Sequence, residues 1–399
     1  MKRICAKKHD RAAGRSWRGF SLVELMIAIT LGLLLTAGLI QLFSSTKVTF
    51  NTNDALARVQ ENGRFALETL KRELREAGTL GFCGGQAPIR NHLNTGCAGG
   101  SDDFFNPDFA VVGWEYEDTG LGEPFTLPED LDPSAVNPDK WDSNANSADL
   151  PSQLSGRVVP GSDVLVVRRL NVVDGFTGEP GPPPNNITSA SINITEKNDL
   201  PKDSIILVTD CSTADLFQNR SNASAKALSA GTGNCSNPGP GNDNSINWST
   251  SYNDAMQTFT VEQVAYYIGV NNQGEPGLYR WNMTRGTAAA RAEEIIEGAE
   301  NMQILYGFSR AAPEGDGQHV NNWLSADEIP DNTVTGEFGW PQVIALRLGL
   351  SVRSTARADG DNTDITLNLA GTDFTAPGDG RIRQPFSTAV ALRNRVLVQ

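Results

Sequence analysis

The sequence is poor in the side chains that build most catalytic and metal sites. It has three histidines in 399 residues, His9, His92 and His319, and they lie far apart along the chain. Catalytic triads and histidine-based metal sites need such residues to converge, and nothing in their order indicates that they do. The sequence therefore predicts a protein without enzymatic activity and without a cofactor.

Basic residues are also scarce, with 33 Lys and Arg against 47 Asp and Glu, a formal net charge of −14. Residues 1–19 hold seven basic residues and one acidic residue, a charge of +6, so the rest of the chain carries about −20. A surface this acidic repels phosphate backbones. We therefore expect no nucleic-acid binding, and we interpret the acidic excess as an aid to solubility.

Apolar character is concentrated in residues 20–43, FSLVELMIAITLGLLLTAGLIQLF, where Glu24 is the only charge. The 22 residues from 25 to 46 have no formal charge. As a helix they would span about 33 Å, enough to cross a bilayer core. The basic residues 1–19 would remain cytoplasmic, so the sequence predicts a single-pass inner-membrane protein whose remainder lies in the periplasm.

The junction at residues 18–25, RGFSLVEL, resembles the class III signal of type IV prepilins and type II secretion pseudopilins. The resemblance implies that a prepilin peptidase cuts between Gly19 and Phe20 and methylates the new amino terminus of Phe20. It also implies that Glu24 pairs with the freed amino group of a neighbouring subunit, so that two charges are neutralised in an apolar filament core.

A second resemblance lies near the end of the chain, in residues 297–307, 343–352 and 381–395. These segments resemble PilW-type minor pilins and, more loosely, the J-type pseudopilin of type II secretion. The implied function is a minor pilin of a priming complex that starts the type IV pilus and supports twitching motility and adhesion. Its implied partners are other minor pilins, the major pilin, the prepilin peptidase and the inner-membrane assembly machinery. A pseudopilin of type II secretion, or a tip adhesin or platform for a large tip adhesin at the cell surface, is the alternative.

Five cysteines are present, and Cys5 lies in the predicted leader. The other four, Cys83, Cys97, Cys211 and Cys235, form an even set, which in an exported domain indicates disulfides. Local pairing, Cys83 with Cys97 and Cys211 with Cys235, is favoured, although the sequence leaves crossed pairing open. A zinc site is the alternative, but no C-x-x-C pair is present, and the nearest histidine is isolated in sequence.

Beyond the apolar run, residues 52–77 keep a helical period, with apolar residues three or four positions apart and charged residues on the opposite face. Gly78 is the predicted helix stop. We therefore predict a leader (1–19), a transmembrane or filament-core helix (20–46), its amphipathic continuation (47–78) and a β-rich head (79–399). The fold class is α+β and pilin-like, with the amphipathic helix packed on the head.

Strand-like runs occur in the head at residues 163–170, 204–209, 259–270, 277–283, 302–308, 343–352 and 387–398, and residues 288–296 are predicted to form a short helix. Long irregular stretches separate them at residues 102–154, 174–186, 211–252 and 310–339. Asp359, Asp361 and Asp364 place oxygen ligands as calcium loops do, but they lack the glycine and glutamate of an EF-hand. A hairpin turn is the alternative.

Overall fold

The computed structural model describes residues 19–78, 87–94, 109–128, 130–143, 150–151, 154–180, 185–231, 240–243, 247–284, 292–309, 319–330, 339–358 and 363–392. Within them the chain forms one long helix and eighteen strands. Two compact units are present, Met1–Asn53 and Asp54–Gln399. The predicted α+β class, a long N-terminal helix with a β-rich head, is confirmed.

Helix α1 runs from Leu22 to Glu76 without interruption. Its part in the second unit is amphipathic, and the predicted apolar stripe packs into the core of the head. The buried residues of α1 are Ala55, Val59, Gly63, Ala66, Leu67, Leu70, Glu73 and Leu74. Gly78 follows the helix with φ 66°, the left-handed conformation typical of a helix stop.

The strands of the head range in length from two to 14 residues. They are β1 (Ile89–Asn91), β2 (Val111–Tyr116), β3 (Pro124–Thr126), β4 (Trp141–Asp142), β5 (Val164–Val173), β6 (Ser191–Asn193), β7 (Ile205–Thr209), β8 (Ala214–Gln218), β9 (Ala227–Ser229), β10 (Gln257–Val270), β11 (Pro276–Asn282), β12 (Glu293–Glu297), β13 (Ala299–Phe308), β14 (Asn322–Leu324), β15 (Val343–Arg353), β16 (Ile365–Leu369), β17 (Thr372–Ala376) and β18 (Arg383–Ala391).

The largest sheet is built around β10, which is 14 residues long. One side of β10 pairs with β5, and the other pairs with β7 through its first residues and with β11 through its last. The strand order is β1-β8-β7-β10-β5-β2-β4, with β12 added to β11. All of these pairs are antiparallel except β1 with β8.

A second sheet has the order β14-β13-β15-β18, and all three of its pairs are antiparallel. Two small sheets, β16-β17-β3 and β6-β9, complete the head. The main hydrophobic core joins α1 to both large sheets through residues such as Leu70, Val166, Leu278 and Leu348. A smaller core lies around Ile192, Phe217 and Trp248.

Six predicted strands are confirmed, as β5, β7, β10, β11, β13 and β15. The seventh, predicted at residues 387–398, is confirmed for residues 387–391 as part of β18, and residues 393–398 lie outside the described residues. The predicted helix at residues 288–296 is wrong where the structure describes it, because Glu293–Glu297 is β12 and pairs with β11. The stretches expected to be irregular are also more ordered than predicted. Residues 102–154 contain β2, β3 and β4, and residues 211–252 contain β8 and β9.

Candidate functional site

The first part of α1 exposes its apolar side chains. Within the described residues, α1 is the helix long and apolar enough to cross a membrane, and no residue of its apolar window is buried. Phe20, just before the helix, is 81% exposed, and Leu34 and Phe43 are similarly uncovered. A surface of this kind is stable in lipid or against apolar partners.

Three threonine hydroxyls in this part of α1 are satisfied by the helix itself. The hydroxyls of Thr30, Thr36 and Thr46 donate to the carbonyl oxygens of Ile27 (2.9 Å), Gly32 (2.8 Å) and Leu42 (2.8 Å). Back-bonding to the preceding turn removes the cost of placing these hydroxyls in hydrocarbon. The surface of this stretch is therefore mostly apolar, and its one charged side chain is a carboxylate.

That carboxylate is Glu24, in the first turn of α1. It is exposed, and in the described part of the chain it has no hydrogen-bond or ion-pair partner. Gly19 and Phe20 precede the helix in non-helical conformation, and a Cβ added at Gly19 would meet nothing within 4 Å. Cleavage between Gly19 and Phe20, methylation of Phe20 and pairing of Glu24 stay predictions.

The end of α1 is held to the head by one arginine. Arg169 of β5 places Nη1 2.7 Å from the Glu73 carboxylate and 3.2 Å from that of Glu76, while its Nε lies 2.5 Å from Glu262 of β10. Earlier in the helix, the side-chain amide of Asn62 donates to the Glu297 carbonyl at 3.0 Å. These bonds fix the rotation of this part of the helix about its axis and its position along that axis relative to the large sheet.

The helix also approaches the second sheet closely. A Cβ added at Gly63 would lie 2.3 Å from Cε2 of Phe386 on β18. Only a residue without a side chain leaves room for this ring, so Gly63 sets the contact distance between α1 and β18. The predicted stripe included Gly63 by its spacing, and the structure gives the physical reason for it.

Two buried carboxyls lie where the two large sheets meet. Glu115 of β2 accepts a hydrogen bond from the Thr119 hydroxyl at 3.0 Å, and Asp163 accepts one from the backbone N–H of Ile304 on β13 at 2.7 Å. Burial raises the pKa of Glu115 to about 8, and the charge of Asp327 adds to the rise. Burial, together with the charge of Glu115, also raises the pKa of Asp163 well above its usual range.

A third buried carboxylate, Asp215 of β8, accepts several hydrogen bonds. His92 Nε2 and Tyr252 Oη each lie 2.5 Å from its oxygens, and Ser249 donates its backbone N–H at 2.9 Å. Burial alone would raise the pKa of Asp215, but the bonds from His92 and Tyr252 outweigh it and hold that pKa below its usual range. His92, isolated in sequence, is therefore part of a structural network. Ser249 bonds to the carboxylate and not to the imidazole, so this is not triad geometry.

The remaining predicted sites fall largely outside the described residues. Cys83, Cys97 and Cys235 lie there, as do Asp359 and Asp361. Cys211 lies in a turn with φ 68° and is disulfide-bonded, but the predicted pairing stays a prediction. Asp364 accepts the backbone N–H of Gly378 at 3.0 Å. In the described ranges, no group of three His, Cys, Asp or Glu side chains could hold a metal ion.

Sequence reasoning missed the buried polar networks. A local signal existed for one of them, because Arg168 and Arg169 are adjacent in an otherwise apolar strand, and a strand buried on both faces needs partners for such charges. No comparable signal marked Asp215, whose partner His92 is 123 positions away.

Two family matches add to this geometry. Residues 18–40 match the prokaryotic N-terminal methylation motif. This match covers the Gly19–Phe20 junction and the first part of the exposed helix. Residues 265–394, a range that includes β11, β13, β15 and β18, match the type IV pilus-assembly protein W family, PilW. Together they confirm the resemblance to PilW-type minor pilins and support a type IV pilus-related pilin. With the apolar helix, they are consistent with an inner-membrane anchor. Comparison with curated proteins and with solved structures gave no match.

Proposed function

We propose that this protein is a minor pilin that helps to initiate the type IV pilus, in a priming complex with other minor pilins. The observation that carries the proposal is an exposed apolar helix that begins within a methylation motif, together with a match of residues 265–394 of the head to the PilW family. A helix with exposed apolar side chains and a folded head suit a subunit that is first anchored in the inner membrane and is then incorporated into a filament.

In this proposal the prepilin peptidase cuts after Gly19, and the head lies in the periplasm before assembly and at the cell surface after it. The partners are other minor pilins, the major pilin and the inner-membrane assembly machinery. The role is structural, and catalysis has no part in it. The match to the PilW family favours this role over that of a J-type pseudopilin in type II secretion.

The experiment is deletion of the gene, followed by comparison of sheared surface pili with total major pilin in the cells. We expect surface pili to fall several-fold while the major pilin stays in the cells, and twitching motility to be lost. Complementation with the full chain should restore both. Wild-type piliation in the deletion strain would contradict the proposal, and normal pili that fail to attach would favour the adhesin alternative.

A further inference from the structure

The outer edge of β18 differs from the other edges of the two large sheets. In the described residues, β1 and β14 are three residues long and β4 is two. The edge strand β12 has five residues, three of them glutamates, and charge on an edge prevents unwanted pairing. By contrast, β18 has nine residues, and residues 384–392 carry no charge.

The hydrogen-bond register leaves this edge open. Ser354 N–H donates to the Ile382 carbonyl, and Leu392 N–H donates to that of Ile344, so even-numbered positions of β18 bond inward to β15. In an antiparallel pair the alternate residues point their N–H and C=O groups outward. These residues are Ser387, Ala389 and Ala391, all exposed and without a backbone partner in the described part of the chain.

The side chains around the edge also suit an added strand. The three outward-bonding residues are small, so nothing bulky blocks the approach. Pro385, which has no N–H, occupies an outward position where none is needed for the β15 ladder. Arg383, the charged residue of β18 itself, is buried and bound to Glu300 at 2.8 Å and to Asp379 at 2.7 Å. It is therefore not available to repel a partner.

We propose that the outer edge of β18 binds an extended, uncharged segment of another pilus subunit, which pairs with residues 387–391 as an additional strand. This inference rests on the proposed function. Three outward N–H and three outward C=O groups would be satisfied. A second copy of this chain is disfavoured as the occupant, because each copy without residues 1–19 carries a formal charge of about −20. We therefore expect the partner subunit to be less acidic.

The test places a photoreactive amino acid at Ala391 of the full chain in piliated cells, with Ile187, an exposed side chain outside β18, as the matched position. We expect a cross-link from residue 391 to an uncharged extended segment of another pilus subunit, at least ten times stronger than from residue 187. Adding Ala389→Pro, which removes one outward N–H and keeps the β15 bonds, should reduce that cross-link at least fivefold.

Hydrogen exchange supplies a second measurement. In the detergent-solubilised protein the amides of Ser387, Ala389 and Ala391 should exchange faster than those of Thr388 and Val390, and in assembled pili the difference should disappear. A chain that enters pili without this cross-link, or that cross-links to its own copy, overturns the inference and leaves the proposed function intact. A chain that never enters pili overturns the proposed function and the inference with it.

Discussion

At the scale of single residues, Glu24 is an exposed carboxylate at the start of an apolar helix, and it has no partner among the residues that the structure describes. An ionisable group in such a place is costly unless it is paired. We predict that Glu24→Ala inserts in the membrane normally but enters pili at least tenfold less than the wild type, because no carboxylate remains to pair with a neighbour's amino terminus. Immunoblots of membrane and sheared-pilus fractions measure both.

The matched control is Glu68→Ala, which removes an exposed carboxylate from the same helix within the second unit. It should enter pili at the wild-type level. Equal incorporation of both variants into pili would show that Glu24 is not needed for assembly. Its role would then be limited to the first turn of the helix, where an acidic side chain interacts favourably with the helix dipole.

The buried Glu115 makes the stability of the head depend on pH. Its pKa rises from 4.5 to about 8 on folding. A carboxyl whose pKa is higher in the folded than in the unfolded protein favours the folded state as long as it is protonated. This stabilisation is fully present below the pKa of the unfolded protein and is lost as the pH rises through the pKa of the folded protein. One pKa unit corresponds to about 1.4 kcal/mol. We therefore expect the free energy of unfolding to fall by a few kcal/mol between about pH 5 and pH 9.

Glu115→Gln keeps the shape and cannot ionise, so its unfolding free energy should vary much less over that range and exceed that of the wild type at the alkaline end. Denaturant titrations at both ends of the range give the comparison. If the unfolding free energies of the two proteins change with pH in parallel, Glu115 is not the cause of the pH dependence. Other titratable groups interact with Glu115. In addition to burial, the charge of Asp327 raises the pKa of Glu115, and the charge of Glu115 raises the pKa values of Asp163 and Tyr306.

At the scale of elements, Gly63 controls how α1 packs on β18. Gly63→Val places a branched side chain where Phe386 now lies, so we expect a loss of about 1 to 3 kcal/mol in unfolding free energy. Gly38→Val is the matched helix control, because a Cβ there meets nothing within 4 Å. Pairing Gly63→Val with Phe386→Ala should cost less than the sum of the two single changes. Additive costs would mean that the two residues do not contact.

The clearest predictions come from elements whose apolar residues recur with a regular period. In β15 the pattern around Arg347 predicted the strand, and in α1 the spacing of Val59, Leu70 and Leu74 predicted the buried stripe. In contrast, β2 is almost entirely buried, so its sequence VVGWEY shows no alternation and gave no signal. The short β12, EEIIE, has residues that favour a helix, and its pairing with β11 overrides that preference.

At the scale of the whole molecule, the candidate site was predictable because it is local. Gly19, Phe20, Glu24 and the uncharged helix are consecutive, so one stretch of sequence predicts the junction and its chemistry. The contacts that organise the head are not local. Asp163 meets a backbone amide 141 positions later, and only the sheet topology brings the two together.

The division of the chain at Asn53 predicts which part can fold without the apolar span. Residues 54–399 form a compact unit, and the core includes Val59, Ala66, Leu70 and Leu74 of α1. A protein that begins at Asp54 should therefore be soluble without detergent and melt cooperatively. One that begins at Gly78 loses these four side chains from the core.

Burial of the larger of these side chains contributes about 1.5 to 3 kcal/mol each, while domains are stable by about 5 to 15 kcal/mol in total. The protein that begins at Gly78 should consequently be unfolded or aggregated, whereas the longer one is not. Circular dichroism melting and gel filtration of the two proteins make the comparison. If both fold equally well, residues 54–76 of α1 are dispensable for the fold of the head. If only the longer one folds, the head needs these residues as part of its core.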